Sequence, residues 1–276
     1  MLNGLFPNAL HTIHQGQDGG RGLSPRLWTS VDGQALSPDG LSNMLFLGDD
    51  FCNFGAIAPA ISGTTAGAAH GGYAYYVDTA TSACSITQLA IKNGIVRFSN
   101  GDTDNHESWL TAGGYTGAPF VVSDTAGDDK LLIFETRFRL GQVSDSYNVF
   151  IGLAEEGLAA ANTVTDAGAL ADKDLLGFWI LEGDGDALKF GYRKAGGAVQ
   201  TVGTYGTALV ASTWYKAGLV YNPRAVAGKR IKFYIDNVEQ TSYVTATNIA
   251  AATFPDAEEL TFLAGIKNGA AAAKTL

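Results

Sequence analysis

Residues 213–239 read TWYKAGLVYNPRAVAGKRIKFYIDNVE, and this stretch decides the fold. In its first run Tyr215, Ala217, Leu219 and Tyr221 fall on one face. In the second, Ile231, Phe233 and Ile235 point one way while Arg230, Lys232, Tyr234 and Asp236 point the other. Successive side chains leave opposite faces of a pleated strand, so a period of two with one apolar face predicts half-buried antiparallel strands. PRAVAGK at 223–229 connects the pair, and Asp236-Asn237 closes a second tight turn. Nothing in the pair names a reaction.

Outward from that pair, strand-like segments run without a clear linker from Phe51 to the end. Of the two organisations that 276 residues allow, one large all-β domain with an extension is therefore preferred to two small domains. Hydrophobic residues at 46% against 16% charged supply a sizeable core. With 35 glycines and 7 prolines, the turns fall to Gly, Asn and Asp. A formal charge of −9 argues against nucleic acid as a partner, because phosphate neutralisation needs clustered Lys and Arg. Cys52 and Cys84 are the only cysteines, read as two small buried thiols with a single disulfide as the alternative. No apolar run approaches the ~20 residues of a membrane-spanning helix. The N-terminal MLNGLFPNALHTIHQGQDGGRG lacks a basic and then continuously apolar leader, so the chain is expected to act where it is made or in something assembled there.

Residues 1–47 keep neither period over ten residues and hold several Gly, Asp and Pro turns. They are read as an extended N-terminal arm, with residues 48–276 as the folded domain. Leu5, Phe6, Leu27 and Trp28 are its apolar anchors, packing either on the arm's own domain or on a neighbouring subunit. Further strands are expected at 73–78, 85–91, 95–99, 118–123, 130–141, 147–154, 175–182, 187–194, 199–203 and 259–267. Asn93-Gly94 makes a hairpin turn, residues 183–186 (GDGD) make another, and residues 100–108 form a polar loop. Residues 155–174 are expected as a loop with at most one or two helical turns. Eleven or twelve strands with short turns point to an antiparallel two-sheet sandwich rather than a barrel.

The segments FETRFRL at 134–140, LGFWIL at 176–181, LKFGYRK at 188–194, TWYKAGLVYN at 213–222 and KFYIDNVEQ at 232–240, in that order, resemble the concanavalin A-like or laminin G-like jelly-roll superfamily. The resemblance covers about residues 51–276. The irregular arm, the Asp49-Asp50-Phe51 opening, the low charge and the abundant Ala, Gly and Thr are similar in style to virion proteins of tailed bacteriophages. That resemblance implies a structural, non-enzymatic role: a capsid decoration or auxiliary protein, assembled in the host cytoplasm and located in the virion. Its implied partners are the major capsid protein and copies of itself, with a homotrimer possible, and no membrane. The alternative it implies is a lectin-like carbohydrate-binding module of a phage tail or head fibre, with a polysaccharide hydrolase ranked below it. The family pattern closes on a further strand, whereas this sequence ends AAAAKTL at 270–276. A truncated sequence, a strand missing after Leu276, or another segment in that position all remain open.

Retaining glycoside hydrolysis needs two carboxylates about 5 to 5.5 Å apart, expected on such a fold as Glu-x-Asp-x-x-Glu along one strand. No strand carries that pattern, and Asp236 with Glu239 reads as turn formation. Asp102, Asp104 and Asn105, with Glu107, sit within one loop and are the calcium candidates, as are Glu182, Asp184 and Asp186. A solvated polar loop is the competing reading for both. No other cofactor is implied. His11 and His14 supply only two ligands, and the glycine-rich 63–72 lacks the Lys-Ser/Thr of a phosphate loop. Tyr73, Tyr75, Tyr76, Trp109, Tyr115, Trp179, Tyr192 and Tyr205 either line a sugar groove or form core and subunit contacts.

Overall fold

The computed structural model describes residues 24, 26–28, 67–68, 73–78, 84–89, 95–112, 117–126, 129–143, 146–157, 163–270 and 274–276. The strands are β1 (Gly67–Ala68), β2 (Tyr73–Val77), β3 (Ser85–Leu89), β4 (Ile95–Asn100), β5 (Glu107–Ala112), β6 (Phe120–Val121), β7 (Leu132–Arg139) and β8 (Tyr147–Glu155). They continue with β9 (Leu175–Ile180), β10 (Lys189–Arg193), β11 (Gln200–Thr204), β12 (Trp214–Tyr221), β13 (Ile231–Ile235), β14 (Val238–Val244), β15 (Glu259–Asn268) and β16 (Lys274–Thr275). Helix is confined to α1 (Ala246–Ile249) and a single 3-10 turn at Ala227–Lys229 among the described residues.

A nine-stranded sheet runs β1-β2-β5-β15-β8-β9-β10-β11, with β6 also paired to β15. A four-stranded sheet, β14-β13-β12-β7, and a three-stranded sheet, β16-β4-β3, lie side by side against it. The Gly141 N–H just after β7 donates to Thr275 O of β16 (2.9 Å), which joins the two smaller sheets into one layer. All pairings are antiparallel. The protein is thus an all-β, two-layer sandwich, as the alternation of residues 213–239 requires.

The core between the layers is one cluster. Tyr215, Ala217, Leu219 and Tyr221 from β12 and Ile231, Phe233 and Ile235 from β13 meet Val149, Ile151 and Leu153 of β8 and Phe178 of β9. Phe233 packs edge-on to Phe178 at 5.7 Å between centroids and tilts against Phe190 at 4.7 Å, the offset geometry that aromatic quadrupoles favour. Asp236 (φ 49°) and Asn237 (φ 62°) are both left-handed, which suits the two-residue hairpin between β13 and β14.

The polar loop expected over 100–108 is shorter, because β5 begins at Glu107. Its Glu107 and Ser108 look like loop residues but meet buried partners: Ser108 Oγ donates to Asn100 Oδ1 (2.6 Å). At the other end of the sequence, Lys274 and Thr275 pair with Asn100 and Ser99 of β4, so that edge of β4 is covered by a strand. Tyr147 Oη donates to Thr275 O (2.6 Å) and ties this strand to β8. Leu5, Phe6, Tyr115, Cys52, the Asn93-Gly94 turn and the 47/48 boundary lie outside the described residues.

Candidate functional site

The outer face of the nine-stranded sheet brings two of the chain's tryptophans together. Trp109, Gly265, Phe150, Trp179 and Lys189 stand opposite one another in one row across five strands. Gly265 allows this: a Cβ there would lie 2.3 Å from Cε3 of Trp109, so only glycine lets the indole lie across β15. Residues 163–171 close over the row through the Val164–Leu170 bridge, with both side chains buried in the same cluster. Trp109 and Trp179 are consequently 0% and 1% exposed. A surface of that kind is a second core.

Two charged groups are sealed into this layer, Lys267 and Glu107. Lys267 Nζ donates to Val164 O (3.1 Å) and to Asp166 Oδ1 (2.6 Å), and stands 4.0 Å from Glu107 Oε2. Glu107 also accepts from Trp109 Nε1 (2.7 Å). Burial pushes its carboxyl above the usual range, while Lys267 and the indole N–H pull it back.

Several of the other acids serve local donors. Glu155 accepts from Lys173 Nζ (2.8 Å) and from the Asp174 N–H (2.9 Å). Asp174 accepts from the Ala195 N–H (3.1 Å), and its carboxyl is raised by burial and by the charges of Glu258 and Glu155. Asp184 pairs with Lys189 at 2.6 Å. Asp236 Oδ1 accepts from the Lys216 N–H (2.8 Å) at the hairpin, as expected of a turn residue. Asp102 and Asp104 are exposed, and Asp104 Oδ1 accepts from the N–H of Asn105, itself at φ 63°. Among the described residues no group of three His, Cys, Asp or Glu side chains is placed to hold a metal ion.

The outer face of the four-stranded sheet is different. Residues 24 and 26–28 lie on its centre: the Ser24 N–H donates to Glu135 Oε2 (3.0 Å), Ser24 Oγ to Glu135 Oε1, and Trp28 Nε1 to Glu135 Oε2 (2.6 Å). Leu27 packs on Val220 and Tyr234. It fits because position 218 is glycine, where a Cβ would stand 2.2 Å from Leu27 Cδ1. Of the arm anchors, Leu27 and Trp28 therefore pack back on their own domain.

Either side of that strap no other described segment lies over the face. Half-buried Trp214 carries the guanidinium of Arg137 at 4.2 Å and of Arg139 at 5.2 Å from its ring centre. At the far end Lys229 stands 4.3 Å from the Tyr243 ring and donates to its hydroxyl (3.1 Å). Glu239 between them accepts from Lys232 (3.0 Å), Tyr234 (3.3 Å) and Tyr243 (3.1 Å). The sequence reading missed this face. Its signal is the Arg137-x-Arg139 alternation on β7, which the register sets against Lys216 and Trp214 of β12.

No family model matches this sequence, and no curated protein sequence matches it. Among solved structures, the fold is similar to the potassium-bound carbohydrate recognition domain of Emp46p, at 12% identity and TM-score 0.47 over 74% of this chain and 84% of that one. It is similar to peanut lectin with a nine-residue peptide, at 12% identity and TM-score 0.43 over 75% and 88%. It is also similar to a protein of unknown function from Shewanella oneidensis MR-1, at 18% identity and TM-score 0.42 over 74% and 82%. At these identities the likeness concerns strand arrangement and carries no ligand or reaction to this chain.

Proposed function

We propose that this chain is a non-catalytic carbohydrate-binding domain that takes its ligand on the outer face of the four-stranded sheet. The observation that carries the reading is the pair of half-buried rings, Trp214 and Tyr243, on that face, each with a cationic hydrogen-bond donor standing over it. A pyranose offers an apolar C–H face and a rim of hydroxyls, which complements an aromatic ring beside Arg, Lys and Tyr donors. The sheet holds those groups at fixed spacing, so an extended glycan meets a rigid platform. Affinity electrophoresis against a panel of polysaccharides, with Trp214→Ala and Tyr243→Ala variants, tests it. Retardation by at least one glycan that weakens in both variants is expected. Equal mobility across the whole panel overturns the reading.

A second reading, resting on the resemblance in sequence style alone, is a structural subunit of a tailed-phage particle bound to its capsid and to sister copies. Mass spectrometry of purified particles tests this reading; absence of the chain from them removes it.

A further inference from the structure

The charge on the proposed binding face is opposite to that of the chain. The sequence carries 18 Lys and Arg against 27 Asp and Glu. On the outer face of the four-stranded sheet, however, Arg137, Arg139, Lys216 and Lys232 come from three neighbouring strands, with Arg26 of the strap and Lys229 at the margin. Among the described residues, three acids face these six cations: Glu135, Asp236 and Glu239. Glu135 accepts from Ser24 and Trp28, Asp236 from the Lys216 N–H, and Glu239 pairs with Lys232 and accepts from two tyrosines, so the charge balance of the face stays positive.

We infer that this face selects acidic polysaccharides, chains bearing uronate carboxylates or sulfates, over neutral ones; the inference rests on the carbohydrate-binding reading above. Arg137 and Arg139 are two residues apart on one strand, so their guanidiniums leave the same face about 7 Å apart. Arg139 is exposed. A planar guanidinium takes a carboxylate or sulfate through two parallel N–H donors, and a neutral hydroxyl gains no comparable charge-assisted bond. Trp214 beneath them keeps the fork flat. The net negative charge of the whole chain disfavours a polyanion away from this face.

The test is isothermal titration of the intact chain with polygalacturonate, neutral dextran and a short DNA duplex, at low and at near-physiological salt. Polygalacturonate is expected to bind, with affinity falling as salt rises. The Arg137→Gln/Arg139→Gln variant should bind at least about tenfold more weakly, because two charge-assisted contacts are lost. Arg139→Lys should fall between, and Lys194→Gln on the opposite layer should match the parent. Circular dichroism and the unfolding midpoint establish that each variant folds. Equal affinity for dextran, or an unaffected double variant, overturns acidic selectivity and leaves the carbohydrate reading standing. DNA bound as tightly as polygalacturonate overturns it as well, by reducing the face to a general polyanion surface. Failure of every glycan, here and in the electrophoresis panel, removes the carbohydrate reading itself.

Discussion

Glu107 and Lys267 face each other across β5 and β15 with 4.0 Å between their charged atoms, at side-chain exposures of 6% and 1%. An ion pair so far from water is held by the groups around it more than by its own attraction, since desolvating two charges costs about as much as their pairing returns. Asp166, Val164 O and the Trp109 indole complete the set. Lys267→Met removes the cation and leaves Glu107 buried and uncompensated, at an expected cost of about 3–5 kcal/mol. Adding Glu107→Gln removes that stranded charge and should recover a good part of the loss. Urea unfolding of the two single variants and the double checks this, and strictly additive losses would show that the pair is not coupled.

How much of this was legible follows from which faces are wet. The alternation over 132–140, 215–221 and 231–235 survives in the sequence because each of those strands has one polar side. β8 and β9 are buried on both faces, so their alternation predicts the core side, Val149, Ile151 and Leu153, yet conceals that Phe150 and Trp179 are equally covered. β5 was hidden for another reason. Glu107 reads as a loop residue until Lys267, 160 positions later, is set opposite it, and no local pattern contains that pairing. The Leu27 seat is similarly non-local, being an absence of side chain at Gly218.

That seat gives the next prediction. Leu27 is 2% exposed, so Leu27→Ala should cost about 2–3 kcal/mol, toward the low end for a buried leucine because only a short strap covers it. Gly218→Ala places a methyl group where Leu27 Cδ1 lies and 2.8 Å from Phe134 O, so it should both dislodge the strap and strain the strand pair. In a double-mutant cycle the two losses should sum to more than the double variant shows. Hydrogen exchange of the Leu27 and Trp28 amides, which donate to Ser24 O, should accelerate in either variant. Unchanged exchange would mean that the strap does not depend on the glycine slot.

Two carboxylates should respond to pH with opposite sign. Burial, with Glu258 and Glu155 nearby, raises Asp174 above its unfolded value. Its contribution is therefore present at low pH and lost as pH rises through the folded value. For Glu239 burial acts upward, but the bonds from Lys232, Tyr243 and Tyr234 together outweigh it and lower the folded value. Its contribution is present at neutral pH and lost as pH falls. Measured from about pH 3 to about pH 7 across the carboxylate range, parent stability relative to Asp174→Asn should decline toward neutrality. Relative to Glu239→Gln it should grow. Parallel difference curves would contradict both assignments.

Cys84 immediately precedes β3, is fully buried, and its thiol is pushed up to about 11, chiefly by burial and further by Asp78 and Glu107, against a hydrogen bond from the Gly101 backbone. At pH 8 a thiol with that value is roughly one part in a thousand thiolate, and the thiolate is the species that reacts. Access is denied as well, so alkylation requires the sandwich to open. On a Cys52→Ser background, which leaves a single thiol, native protein at pH 8 should resist iodoacetamide over hours while the urea-unfolded chain is labelled promptly. Through the transition the labelling rate should follow the unfolded fraction, because reaction then reports opening. Prompt labelling of the native variant would mean that the edge of the core beside β3 and β4 is open to solvent.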